Sequence, residues 1–240
     1  MNDNDDPAMD SHADLRAVLM SSIRACRDVE RDIFEALDPA EREVPGPDGG
    51  WSAKDVLAHL SAWRDRQATK MAAEREGRTE PELGGTTDEV NAGFHAARAD
   101  WTWDRVSADA DATAEALIAQ LAAADEALDD SSLMSSIMSD GPEHDLAHLG
   151  PLAERVGKGP EVRALADRTL AMLDRGAWPG RWALVARYNL ACYHALAGNL
   201  DMARSLLRQV LPEAEDLRTL APTDDDLLAV RDEIPTLAAG

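Results

Sequence analysis

Strand-forming residues are scarce in this chain, and that constrains its fold more than any motif. Apolar residues make up 45% of the sequence and are dominated by Ala and Leu, while aromatics contribute only 4%. Ala, Leu, Arg and Glu lose little side-chain freedom in a helix, whereas pleated strands are built from β-branched and aromatic side chains. The chain is therefore expected to be all-α. Its 240 residues suffice for one large domain or two small ones with a real core.

Residues 1–10 are polar and acidic and are expected to form a disordered tail. A first helix should start at Ser11 or Asp14 and run to Leu37, because Leu15, Val18, Leu19, Ile23, Cys26, Val29, Ile33, Phe34 and Leu37 recur at helical spacing. Pro39 and the Pro-Gly-Pro-Asp-Gly-Gly run at 45–50 end it. Ser52 then caps a second helix, with Asp55 in its first turn and Val56, His59, Leu60 and Trp63 on one stripe. After a loop at Gly77–Gly85, helical pattern resumes near Thr87 and reaches Leu128, with a break expected from Thr102 to Asp109. Gly141-Pro142 precedes another helix, with Pro at a tolerated position, carrying His144, His148, Leu149, Leu152 and Val156. Helices in series, each with one apolar stripe, are what a four-helix bundle needs.

Gly157-Lys-Gly-Pro160 is the best domain boundary, dividing residues 11–157 from 158–240. Beyond it a helix at 161–175 leads to Trp178-Pro-Gly180. In the stretch 188–207, Leu190, Ala191, Gly198, Ala203 and Leu207 fall at the spacings of a tetratricopeptide helix-turn-helix. A further helix is expected from Asp224 to Ile234. One such repeat cannot bury its own face, so it must dock on the bundle, on flanking helices or on a partner.

His144 and His148 lie four apart and so share a helix face. An H-x-x-x-H pair alone is a weak signal, but here it opens a helix, and His59 points inward from another. Three imidazoles in that arrangement would hold a divalent metal and leave a position open for water or substrate. The plainer reading is a cluster of buried imidazoles satisfied by carboxylates or carbonyls. Trp63, one turn beyond His59, either walls the pocket or fills the core. Trp51 is expected to plug the bundle end, and Trp101 and Trp103 to pack in the core near the break. Glu143 and Asp145 fall about 100° to either side of His144 and are expected to face solvent. Arg64 and Arg66 are placed on the surface.

With 46 acidic and 24 basic residues the net charge is −22, which argues against nucleic acid and membrane surfaces as partners. Cys26 and Cys192 fit no metal-ligand spacing and suit small buried hydrophobes in a reducing cytosol. An acidic N-terminus and the lack of a long apolar run point to a cytoplasmic protein.

Three stretches resemble the DinB/YfiT-like superfamily, particularly its ClbS/DfsB-type branch. They are Gly50-Trp51-Ser52-Ala-Lys-Asp55-Val-Leu-Ala-His59-Leu, Asn91 opening the third helix, and Glu143-His-Asp-Leu-Ala-His148. The resemblance implies a four-helix bundle that binds a divalent metal through His59, His144 and His148. Zinc is the first expectation, with nickel or iron as alternatives. It further implies activation of water, or of a low-molecular-weight thiol cosubstrate, against a small-molecule electrophile, giving a hydrolase or a thiol S-transferase. The competing expectation is a non-catalytic helical scaffold that binds a protein partner through the tetratricopeptide-like segment. Pairing into a homodimer fits either.

Overall fold

A computed structural model describes residues 7–46, 50–79, 84–124, 137–138, 141–174 and 180–239 of the chain. Residues 1–6 of the expected tail, Leu128, Trp178, Pro179 and most of the 77–85 loop's tip lie outside the described residues, as does the side chain of His12. The described residues are almost entirely helical and contain no strand.

The helices are α1 (Pro7–Ala36), α2 (Ala53–Arg75), α3 (Thr87–Arg98), α4 (Trp103–Ala123), α5 (Pro142–Arg155), α6 (Gly159–Asp174), α7 (Gly180–Leu196), α8 (Leu200–Val210), α9 (Glu215–Leu220) and α10 (Ile234–Leu237). Helix α1 thus begins earlier than its first apolar residue suggested. The interruption between α3 and α4 is confined to residues 99–102, because Thr102 accepts a hydrogen bond from the Arg105 N–H and starts α4 at once. The expected helix at Asp224–Ile234 is instead a 3₁₀ stretch, Asp225–Glu233. It is pinned by Arg231, whose Nη2 donates to the Asp224 carbonyl at 2.9 Å. No helix among the described residues is long and apolar enough to cross a membrane.

Helix α2 packs against α4, α3 and α5, while α1 closes against α4, α5 and α6. The expected stripe of α1 is the buried one: Leu15, Leu19, Ile23, Cys26, Ile33 and Phe34 all face inward. Beyond Gly157, whose φ of +73° makes the sharp turn a glycine allows, α6 and α7 lie against α5. Helices α7 and α8 form a hairpin turning at Gly198, and the 3₁₀ stretch packs on α7. The buried apolar side chains on both sides of Gly157 form one contiguous cluster, from Leu15 to Leu237. The 158–240 segment therefore buries most of its apolar side chains within itself and on the preceding helices, leaving Leu196, Leu220 and Leu228 exposed.

Candidate metal centre

Two helix starts place the three histidines. Ser52 caps α2 through a reciprocal pair of bonds: its Oγ accepts from the Asp55 N–H at 3.2 Å, and Asp55 Oδ2 accepts from the Ser52 N–H at 3.0 Å. That fixes the first turn, and His59 follows one turn into the helix. Helix α5 starts at Pro142 without a side-chain cap, and His144 and His148 project from its first two turns.

The three side chains meet. His59 Nε2 lies 2.8 Å from His144 Nε2. Ring centroids are 4.7 Å apart for His59–His144, 4.9 Å for His59–His148 and 4.7 Å for His144–His148. One nitrogen from each residue falls within 4.8 Å of the others, so the group could hold a metal ion. Two nitrogens bound tetrahedrally at zinc's bond length of about 2.0–2.1 Å stand about 3.3 Å apart, so small side-chain shifts bring this set to that geometry.

Burial keeps the three imidazoles in the neutral form that can bind a metal. Burial, then the neighbouring His148, lowers the His59 pKa from 6.5 to about 3. Burial also lowers His148, and it holds His144 well below the usual range with help from His148, His59 and Arg64. All three imidazoles are thus neutral at ordinary pH and offer lone pairs without first losing a proton. His59 Nδ1 is buried with no hydrogen-bond partner. This ring is oriented by packing, with Trp51 at 4.6 Å on one side and Trp63 at 6.4 Å on the other.

A cavity of about 370 Å³ opens over the cluster, lined by Trp51, His59, Trp63, Thr87, Asn91, His144 and His148. Trp63 is thus a pocket wall. Trp51 is no plug: it is 36% exposed, lines the cavity and stacks on His95. His95 in turn contacts Asp55 at 3.3 Å. Trp63 Nε1 donates to Asn91 Oδ1 at 3.1 Å. Because an indole N–H can only donate, this bond turns the Asn91 amide so that its NH₂ remains available. Trp101 and Trp103 pack on the edge of the core as expected, Trp103 beside Phe34 and Trp101 against Arg98 and Arg105.

The acidic neighbours of His144 overturn an expectation. Glu143 and Asp145 are 7% and 2% exposed, not solvated, because α5 is covered on one side by α1 and α2 and on the other by α6 and α7. Asp145 lies 3.8 Å from Arg64, which is itself buried rather than on the surface. Arg64 Nη2 donates to both carboxylate oxygens of Glu30 on α1, at 3.0 and 2.8 Å. Glu143 accepts from Asn189 Nδ2 on α7. Burial raises the Glu143 carboxyl to about 7 despite that bond, and burial likewise raises Asp145. Arg66 is half-buried and lies over the Trp63 ring. A helix buried on two faces hides its polar residues, and the periodicity of one helix cannot reveal its second neighbour.

Away from this centre, Cys192, Asp224 and Asp226 also come within 4.8 Å of one another. The Asp224 carboxylate is already engaged there by the Tyr188 hydroxyl at 2.8 Å, the Cys192 thiol at 3.8 Å and the Asp226 N–H at 3.0 Å. Burial raises the Cys192 thiol far above its usual range, so it stays protonated and donates. His194 is buried with both ring nitrogens unpartnered. Cys26 is a free buried thiol, as the sequence suggested.

Comparison with protein-family models, with curated proteins and with solved structures finds no match for this chain.

Proposed function

We propose that this protein is a metal-dependent enzyme of the DinB-like type. In this reading α1, α2, α4 and α5 form the four-helix bundle, with His59, His144 and His148 holding a divalent ion, zinc before nickel or iron. The observation that carries it is the convergence of three neutral imidazoles, from two separate stretches of chain, at the floor of an open cavity. An ion held by three imidazoles supplies Lewis acidity at an open position, which makes water or a thiol reactive near neutral pH.

The chain's own residues provide the rest. Trp51 and Trp63 wall the cavity and limit its width. The Asn91 NH₂, turned by the Trp63 bond, donates to an acceptor atom of the substrate and orients it. Among the described residues, those lining the cavity carry no fixed charge, Arg66 lies behind the Trp63 wall, and Arg64 is committed to Glu30. A small uncharged electrophile suits that lining better than an anionic one. Water gives a hydrolase and a thiol gives an S-transferase, and Arg66, over the Trp63 ring, is the cation nearest this wall among the described residues. The alternative scaffold, docking a protein partner through the tetratricopeptide-like hairpin, has less support, because most of the segment's apolar side chains are buried in the common core, although Leu196, Leu220 and Leu228 stay exposed.

The test is elemental analysis of untagged protein and of His144→Ala, followed by hydrolysis assays of small uncharged electrophiles with and without added thiol. Stoichiometric metal that is lost in the variant, with hydrolysis that disappears alongside it, is the expected result. Metal retained in the variant, or turnover indifferent to metal, would contradict the reading.

A further inference from the structure

Helix α5 carries two of the three histidines, and yet its N-cap residue, Gly141, offers no side chain to fix its start. Its rotation about its own axis is set by what it packs against, the buried Leu146, Leu149 and Leu152 together with two buried polar contacts. The residues on either side of His144 are both buried carboxylic acids, and they are held from different directions. Asp145 faces Arg64, which Glu30 grips with both oxygens from α1. Glu143 faces Asn189 of α7, whose amide NH₂ donates to it.

Successive helical residues are separated by about 100°, so Glu143 and Asp145 lie about 200° apart around the axis, with His144 between them. His148, four residues on, falls within about 40° of His144 and swings with it. A small rotation of α5 would move both ligands together away from His59. It would also break the Asn189–Glu143 hydrogen bond, or widen the Arg64–Asp145 contact, a 3.8 Å ion pair in which Asp145 Oδ1 accepts no hydrogen bond, and a buried polar group deprived of its partner is costly.

We propose that Asn189, through Glu143, is a positioning residue for the three-histidine centre, opposing the Arg64–Asp145 contact on the other side of α5. This rests on the metal-site reading above. It gives the 158–240 segment a role: it is the outer jaw that fixes the angle at which α5 presents His144 and His148, and so completes the site without touching it. Apolar residues could hold α5 in place as firmly, so the contact is read as setting geometry and not as supplying stability.

The experiment uses the full-length metal-free protein, with Zn²⁺ affinity measured by competition with a chromophoric chelator. Co²⁺ absorption reports ligand geometry, and far-UV circular dichroism reports the fold. Asn189→Leu and Glu143→Met remove the contact, whereas Glu143→Gln keeps an acceptor for the Asn189 NH₂. The expected result is zinc binding about tenfold or more weaker and an altered Co²⁺ spectrum in the first two, at unchanged helix content, with Glu143→Gln close to the parent. Zinc affinity within about twofold of the parent and an unchanged Co²⁺ spectrum in folded Asn189→Leu would overturn the proposal. So would loss of helix in both Asn189→Leu and Glu143→Met, since the contact would then be holding the fold. A parent protein that takes up neither ion would instead defeat the metal reading, and this inference with it.

Discussion

At the scale of single residues, a set of buried ionisable groups surrounds the three histidines, and each has a distinct signature. His59 is held neutral to about pH 3, whereas in the unfolded chain it titrates near 6.5. Between those values the unfolded chain takes up a proton that the folded chain refuses, so metal-free stability falls as pH drops through this window and is unaffected above it. His59→Leu should flatten that slope in EDTA-treated protein, read as the melting temperature between pH 4 and 6.5. Glu143 acts in the opposite sense: its carboxyl is raised from 4.5 to about 7, so its contribution is intact below pH 4.5 and is lost as pH rises through 7. Arg64→Met removes both hydrogen bonds to the Glu30 carboxylate, leaving it buried with only Arg27 at 3.6 Å, and should destabilise the fold by about 3 kcal/mol in urea unfolding. A cost below about 1 kcal/mol, as for an exposed pair, would show that the cluster is solvated. The sequence exposed the three converging histidines but not this set. His59, His144 and His148 stand out because imidazole is rare here and two of them share a helix face. Arg64, Glu143, Asp145 and Asn189 look like ordinary surface residues until a second neighbouring helix covers them.

At the scale of elements, the apolar period made α1, α4 and α5 legible because each presents a distinct apolar stripe. Helix α2 is different. It is enclosed by α3, α4 and α5, and it buries Ser61, Arg64 and Gln67 along with Leu57 and Leu60. Its polar residues therefore mark contacts with other helices instead of a wet face. The reciprocal cap at Ser52 was readable and has a measurable consequence: Ser52→Ala should cost about 1 kcal/mol of stability by denaturant unfolding. The apolar spacing of the 3₁₀ stretch at Asp225–Glu233 is compatible with an α-helix as well. What decides it is tertiary, with Leu227 and Val230 buried against α7 and Arg231 reaching back to Asp224.

At the scale of the whole molecule, one apolar interior runs from α1 to α10, and the site sits where α2 and α5 meet within it. Removing residues 158–240 strips α5 of one covered side, so a chain ending at Gly157 should expose apolar surface and self-associate in sedimentation, unlike the full chain. Core substitutions remote from the site, such as Leu207→Ala, should lower stability by about 2–5 kcal/mol while leaving zinc stoichiometry unchanged. A bound ion stabilises the folded state by mass action, so saturating zinc should raise the melting temperature of the parent and not that of a variant lacking the ligands. The most direct measurement is a calorimetric titration of zinc into metal-free parent and His59→Ala protein at neutral pH. The account predicts one ion per chain in the parent and loss of that site in the variant. A parent that binds none, or a variant that binds as tightly as the parent, would contradict it.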